Sequence, residues 1–172
     1  AMARWLITHP TVRLLDVGCG SGFYLRALHE AAPDAKLHGI DASSAFLRVG
    51  ARRLRRDGVP VDLTLGDAVR LPYGDGVFDG VAFGGTPNEI RDPVAALREL
   101  ARVVRPGGRV WFMAAMQAGT WMGRRSQDLL RLGGLHLPSS DAWIDMLQSS
   151  GLTVHRIEHR GPLLVATLHV AR

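Results

Sequence analysis

The chain has little of several residue types whose scarcity narrows what it can be. Its single cysteine cannot form an internal disulfide, so nothing in the composition requires an oxidising compartment. No apolar run approaches the roughly 18 residues that a membrane-spanning helix needs. Residues 1–7 are too short a segment for a signal peptide. We therefore expect a cytoplasmic protein without a membrane span.

Lysine is almost absent, because Lys36 is the only lysine among 21 basic residues, and the net charge is +5. The arginines are densest on one predicted helix, whose other side is apolar. They are either a binding surface for nucleic acid or anionic lipid, or a solvated helix face. No aromatic residue is interleaved with them for base stacking, so nucleic acid is not the expected partner. The arginines are Arg48, Arg52, Arg53, Arg55 and Arg56, and the predicted apolar side holds Phe46, Leu47, Gly50, Ala51 and Leu54.

With 47% apolar and 22% charged residues over 172 positions, the chain has the composition of a single globular domain spanning residues 1–172. Strands and helices alternate through its first two thirds, which favours a parallel sheet covered on both faces. A helix that begins after Ser139 or Ser140 and an antiparallel hairpin then close the domain. The predicted strands are 12–17, 36–40, 61–65, 77–83, 109–115, 153–158 and 163–170, with a sharp reversal at 106–108.

Residues 117–138 interrupt this alternation, because their apolar residues and arginines do not form another strand–helix unit. Two interpretations are open. The segment is either a lid over a small, hydrophobic substrate or an insertion that only packs on the sheet.

Three glycines, Gly18, Gly20 and Gly22, separate the first strand from the first helix. Glycine suits such a turn because it accepts a positive φ and lets a ligand approach the backbone. A dinucleotide-binding turn needs glycine at the sixth position of its motif, where this chain has Phe23. The lysine of a nucleoside triphosphate-binding loop is also missing. Dinucleotides, ATP and GTP are therefore not the expected ligands.

Three aspartates stand at the ends of the first three predicted strands, where α/β sheets bind their ligands. Asp41 lies 19 residues after Gly22, the spacing of an acid that accepts hydrogen bonds from ribose hydroxyls. Asp67 follows the third strand. Asp16 lies two residues before Gly18 and would repel a pyrophosphate but attract a cation. The pattern predicts a ligand with a ribose, no phosphate and a positively charged end.

Five segments in this order resemble the motifs of class I S-adenosylmethionine-dependent methyltransferases of the ubiquinone/menaquinone type. They are residues 16–22, 39–41, 66–72, 78–81 and 102–108. The resemblance implies a doubly wound, mostly parallel seven-stranded sheet of order 3-2-1-4-5-7-6, with the last strand antiparallel, in three α/β/α layers. It also implies S-adenosylmethionine as cofactor and S-adenosylhomocysteine as product.

The resemblance implies a contact for each part of the cofactor. Asp16 would hold the methionine amino group through water, and Cys19 would be a small turn residue rather than a nucleophile. Asp41 would bind the ribose hydroxyls and Asp67 the adenine amino group. Backbone or apolar contacts complete the site. The implied cofactor-binding residues are Asp16, Gly18, Cys19, Gly20, Gly22, Asp41, Ala42, Asp67, Ala68, Leu71, Phe83 and Gly84.

The expected function is methyl transfer to an oxygen, nitrogen or carbon nucleophile of a small molecule. Two alternatives remain open, a partner module that binds cofactor without catalysis and an RNA methyltransferase. No metal is expected, and a homodimer or a partner subunit is compatible with the sequence. No catalytic residue is assigned, although His9, Asn88, Glu89 and His136 are placed near the site by the implied topology.

Overall fold

The computed structural model describes residues 2–120, 125, 127, 128, 130 and 132–171. The strands are β1 (Arg13–Val17), β2 (Lys36–Asp41), β3 (Asp62–Leu65), β4 (Phe78–Gly84), β5 (Val104–Ala115), β6 (Leu152–Arg160) and β7 (Leu163–Val170). The helices are α1 (Met2–Leu6), α2 (Phe23–Ala31), α3 (Ser44–Arg56), α4 (Pro93–Val103) and α5 (Ser140–Ser149), with a 3₁₀ turn at Pro87–Glu89.

All seven strands form one sheet of order β3-β2-β1-β4-β5-β7-β6. The first five pair in parallel, whereas β7 is antiparallel to both β5 and β6. This confirms the predicted strand order and the closing hairpin. The carboxyl ends of β1, β2, β3 and β4 consequently lie at one edge of the sheet, here called the carboxyl edge. The opposite edge is called the amino edge.

Two apolar cores lie on the two faces of the sheet and produce the predicted three layers. Successive side chains of a strand point to opposite faces. Leu14 therefore packs with α1, α2 and α3, and its neighbour Leu15 packs with α4 and α5. Both leucines are fully buried. A strand that is buried on both faces reads as a continuous apolar run, and β1 has that pattern except at Asp16 and at its first residue, Arg13.

The helix starts follow from capping side chains. Asp92 accepts a hydrogen bond from the Ala95 amide, and Pro93 takes the first helical position, where a missing amide costs nothing. Ser139 accepts from the Ala142 amide, which settles the start of α5 between the two predicted serines.

The start of β5 differs from the prediction. Val104, five positions before the predicted Arg109, already pairs with Phe78 of β4. The chain then leaves the ladder through Gly107, which has a φ of +75°, and returns where Arg109 pairs with Gly80. The predicted reversal at 106–108 is therefore a bulge inside the strand, because the buried Val104 still belongs to the sheet.

Candidate functional site

A cavity of about 810 Å³ opens at the carboxyl edge, between the ends of β1, β2 and β3 and the loop that follows β4. It lies where open α/β sheets bind their ligands. Its lining includes six of the predicted cofactor-binding residues. The lining residues are Val17, Gly18, Gly20, Ile40, Asp41, Ala42, Ser43, Phe46, Gly66, Asp67, Ala68, Val69, Thr86, Glu89, Ile90, Arg91 and Asp92.

The glycine turn supplies an open backbone surface on one wall of this cavity. Gly18 and Gly20 have φ values of +69° and +51°, which side-chain-bearing residues rarely adopt. A Cβ on Gly18 would collide with Thr86, whose hydroxyl donates to the Gly18 carbonyl at 3.2 Å. A Cβ on Gly20 would meet no atom within 4 Å. Gly20 thus faces free space in which a ligand can lie against the backbone.

Asp41 ties this turn to the start of α3. Its Oδ2 accepts from the Gly20 amide and its Oδ1 from the Ser43 amide, each at 2.8 Å. Each carboxylate oxygen can accept more than one hydrogen bond, so both keep capacity for ligand hydroxyls. The side chain is therefore positioned before any ligand binds.

Asp16 is fully buried, and neither of its carboxylate oxygens has a hydrogen-bond partner. It alternates with Val17 on β1, so it lies on the α2 and α3 side of the sheet, below the glycine turn. Burial raises its pKa well above the ordinary value, and the negative charge of Asp41 adds to this. A buried carboxylate without a partner is costly unless it holds a proton or meets a cation. Asp16 does not itself line the cavity, but Val17 and Gly18, which follow it directly, do.

Asp67 and Ala68 form the wall of the cavity that follows β3. Asp67 is exposed, and its Oδ1 accepts from the Val69 amide at 3.1 Å. This bond fixes the carboxylate at the rim of the cavity. A ring bound between β2 and β3 could donate a hydrogen bond from its polar edge to the Asp67 carboxylate.

The other predicted residues lie close to the site without lining the cavity. Leu71 and Phe83 turn their side chains into the core on the α4 side. Gly84 lies against Trp111 and Tyr24, and Gly22 lies against Leu54. The Cys19 side chain is buried near Gly39, and burial raises the pKa of its thiol.

Of the four residues considered as bases, only Glu89 lines the cavity. The placement of His9 near the site is wrong, because its ring lies 3.8 Å from Asp79 at the amino edge. Asn88 is buried and structural, since its amide group bonds both the amide and the carbonyl of Ala115. The exposed His136 is held through its backbone, which donates to the Asn88 carbonyl.

Some lining residues were not predicted from sequence. Phe46 was placed on the apolar side of α3, yet its side chain is 58% exposed and borders the cavity. Thr86 contacts the glycine turn from a loop 68 positions away, a contact that no local motif reveals. Ser43 caps α3 by accepting from the Phe46 amide, and its own amide donates to Asp41.

The two ends of the segment 117–138 meet beside the carboxyl end of β5. The Gln117 amide donates to the Pro138 carbonyl at 2.8 Å. The Gln127 side chain binds the backbone just after β5: it accepts from the Ala118 amide and donates to the Met116 carbonyl. The predicted lid otherwise falls partly on positions 121–124, 126, 129 and 131, which lie outside the described residues.

Within the described part of the chain, no helix is long and apolar enough to cross a bilayer. The same residues contain no group of three histidine, cysteine or acidic side chains placed to hold a metal ion.

The sheet order, the glycine turn and the row of aspartates define an α/β domain of the kind that binds a nucleoside with a cationic end. Residues 15–112 match the methyltransferase domain family, and the chain belongs to that family. The predicted class I family and its cofactor, S-adenosylmethionine, are thereby confirmed. The contacts of individual residues with the cofactor stay predictions.

Similar proteins agree with this assignment. The demethylmenaquinone methyltransferase of Symbiobacterium thermophilum is 39% identical over 103 residues, which cover 58% of this chain and 41% of that protein. The chain thus spans less than half the length of this curated relative. A second, from Geobacillus stearothermophilus, is 38% identical over 98 residues, 56% of this chain and 42% of that protein.

Solved structures share the fold at low identity. The [4+2]-cyclase SpnF superposes with a TM-score of 0.85 and 21% identity, covering 98% of this chain and 79% of that one. YcgJ of Bacillus subtilis has a TM-score of 0.81 and 18% identity, covering 99% and 97%. Because a cyclase has this fold, the fold alone does not define the reaction.

Proposed function

We propose that this domain transfers a methyl group from S-adenosylmethionine to an oxygen, nitrogen or carbon nucleophile of a small molecule. The observation that carries the proposal is the Asp16 carboxylate, buried without a partner beneath an open glycine turn. An ammonium group, bound directly or through water, would satisfy it. The cofactor has such a group at its methionine end.

The rest of the cavity suits the remaining parts of the cofactor. Gly20 leaves space for the methionine chain to lie on the backbone. Asp41, already fixed by two amides, would accept from the two ribose hydroxyls. Asp67 and Ala68 would bind the adenine edge, with Ala42 against the ring. A volume of about 810 Å³ lies within the range of about 300–1,000 Å³ that is typical of ligand sites.

The cofactor supplies an activated methyl group, so the protein's contribution is alignment and exclusion of water. In this proposal residues 117–138 form a lid within a single domain, anchored at the end of β5 by Gln127. Four carboxylates line the cavity, and where the acceptor carries a proton we assign its removal to one of them, Glu89.

For the acceptor we propose a small, largely apolar molecule. The support is twofold: the curated relatives are named for demethylmenaquinone, and residues 117–138 combine leucines with arginines. No nucleic acid is required for this reaction.

The proposal is tested by incubating the purified domain with methyl-labelled S-adenosylmethionine and a panel of acceptors. The panel contains quinols, phenols and amines, together with unmodified RNA. We expect label in a small apolar acceptor and none in RNA. The Asp41→Ala variant should lose transfer, whereas Asp62→Ala, an exposed aspartate on β3 outside the cavity, should retain it.

Three outcomes separate the functions considered. Label in RNA alone would identify an RNA methyltransferase and contradict the small-molecule proposal. Cofactor binding without transfer to any acceptor, together with a stable complex with another protein, would indicate a non-catalytic module. Equal transfer by the wild type and the Asp41→Ala variant would show that the reaction does not use this cavity.

A further inference from the structure

The outward face of α3 concentrates positive charge that neither the cavity nor the fold uses. The helix holds five arginines and no acidic residue in its 13 positions. Its inward side packs through Leu54 on Gly22 and through Gly50 on the backbone of Gly20 and Ser21. Residues spaced by three and four positions share a helix face. Arg48, Arg52 and Arg55 are therefore presented together to solvent, and all three are exposed.

Part of this charge is neutralised and part is not. Asp57, at the end of α3, forms ion pairs with Arg53 and Arg56. Among the described residues, no carboxylate lies within ion-pair distance of Arg48, Arg52 or Arg55, and Arg48 bonds only the Ser44 hydroxyl. Like charges this close on one helix repel each other, and an anionic partner would relieve the repulsion.

Apolar side chains are exposed within and beside these arginines. Val49 is 54% exposed and lies three positions before Arg52, on the same side of the helix. Phe23, at the start of the neighbouring α2, is 64% exposed. A purely solvated helix face gains nothing from such side chains, whereas a helix that lies in a lipid interface combines basic residues with exposed aromatic and aliphatic ones.

We propose that the outward face of α3 docks the domain on a bilayer that contains anionic phospholipid. Arg48, Arg52 and Arg55 would contact the phosphate groups, and Val49 would enter the boundary between head groups and acyl chains. A nucleic acid fits less well, because the convex face offers no aromatic platform between the arginines for bases. Docking does not depend on methyl transfer and is measured without cofactor or acceptor.

The test measures co-sedimentation of the whole chain with vesicles of phosphatidylcholine, with and without phosphatidylglycerol, at physiological salt. We expect binding to the anionic vesicles alone. The Arg48→Glu/Arg52→Glu variant should bind at least about 25-fold more weakly, since each arginine near an anionic surface contributes about fivefold. The matched Arg4→Glu/Arg98→Glu variant makes the same charge change at exposed arginines of α1 and α4 and should bind like the wild type.

A second variant tests the apolar contact separately. Val49→Ser keeps every charge and lies outside the cavity, and should weaken binding about tenfold, because the valine then no longer enters the interface. Circular dichroism checks that each variant is folded.

Three results would overturn the proposal. They are equal binding to neutral and anionic vesicles, equal loss in the two double variants, and absence of vesicle binding. If single-stranded RNA binds to this face while vesicles do not, the partner is a nucleic acid and the proposal is wrong.

Discussion

Two carboxylates at opposite edges of the sheet, Asp79 and Asp16, differ in whether their oxygens have hydrogen-bond partners. At the amino edge, Asp79 accepts from the Arg13 amide at 2.7 Å and from the Arg105 side chain. Burial opposes the charge of Asp79, but these bonds and the positive charge of Arg105 lower its pKa overall. At the carboxyl edge, Asp16 has no partner, and burial raises its pKa.

A second paired carboxylate, on α4, follows the pattern of the amino edge. The Glu99 carboxylate bonds the Arg102 guanidinium and the Leu71 amide, which lower its pKa. Carboxylates whose bonds are complete stabilise the fold, and those left incomplete are available to a ligand. We therefore assign a structural role to Asp79 and a ligand-binding role to Asp16, and substitutions at each residue test this assignment.

The largest expected effect is on cofactor affinity. Removing the Asp41 side chain deletes the acceptor for two ribose hydroxyls, each worth about 1.5–3 kcal/mol to a charged group. The Asp41→Ala variant should therefore bind S-adenosylhomocysteine at least roughly 100-fold more weakly by calorimetry. Asp79→Ala should bind it with unchanged affinity. If both variants lose affinity equally, the two edges do not have separate roles.

The converse experiment measures stability. Asp79→Ala breaks the bonds to Arg13 and Arg105 and should lower the free energy of unfolding by about 1.5–3 kcal/mol. Chemical denaturation without ligand measures this difference. Because the pKa of Asp79 is lowered in the fold, its contribution is present above its ordinary value of 3.8 and is lost as the pH falls below it. If the difference in unfolding free energy between the wild type and Asp79→Ala grows as the pH falls, this assignment is contradicted.

Asp16 should show the opposite pH dependence. Its pKa is raised in the fold, so the folded state holds a proton that the unfolded state has lost, and stability falls as the pH rises above 3.8. The neutral Asp16→Asn variant should be more stable than the wild type by about 1 kcal/mol at neutral pH. The gain should shrink toward acidic pH. Cofactor affinity should fall at least about tenfold. If the Asp16→Asn variant is less stable than the wild type but binds the cofactor with normal affinity, Asp16 has a structural role instead.

The smallest effect distinguishes backbone strain from ligand contact. Gly20 and Gly58 both have positive φ, +51° and +70°, and a Cβ on either would meet no atom within 4 Å. Alanine at either position should therefore lower the free energy of unfolding by a similar amount, about 1–2 kcal/mol, as thermal unfolding would measure. Only Gly20→Ala should also weaken cofactor binding. Equal affinity in the two variants would place the cofactor away from the glycine turn.

Local patterns predicted much of this architecture. Asp41 and Asp67 could be placed at one edge because each follows an apolar run, and parallel strands end on the same side. The strand order came from the family resemblance. The contact between Thr86 and Gly18 joins distant segments and left no local signal.

The errors also have physical causes. Phe46 fits the helical spacing of the apolar side, but the cavity beside it leaves the ring exposed. His9 precedes β1, so it lies at the amino edge, and its place in the chain could have excluded it from the site. The bulge in β5 looked like a turn because Gly107 has the backbone of one.

Amide chemical-shift mapping of the labelled domain, during titration with S-adenosylmethionine, locates the bound cofactor residue by residue. We expect the largest shifts around the cavity, at Gly20 of the glycine turn and at Asp41 and Ala68, and unchanged amides around Asp79. Absence of shifts at the glycine turn, or shifts centred on the amino edge, would contradict this expectation.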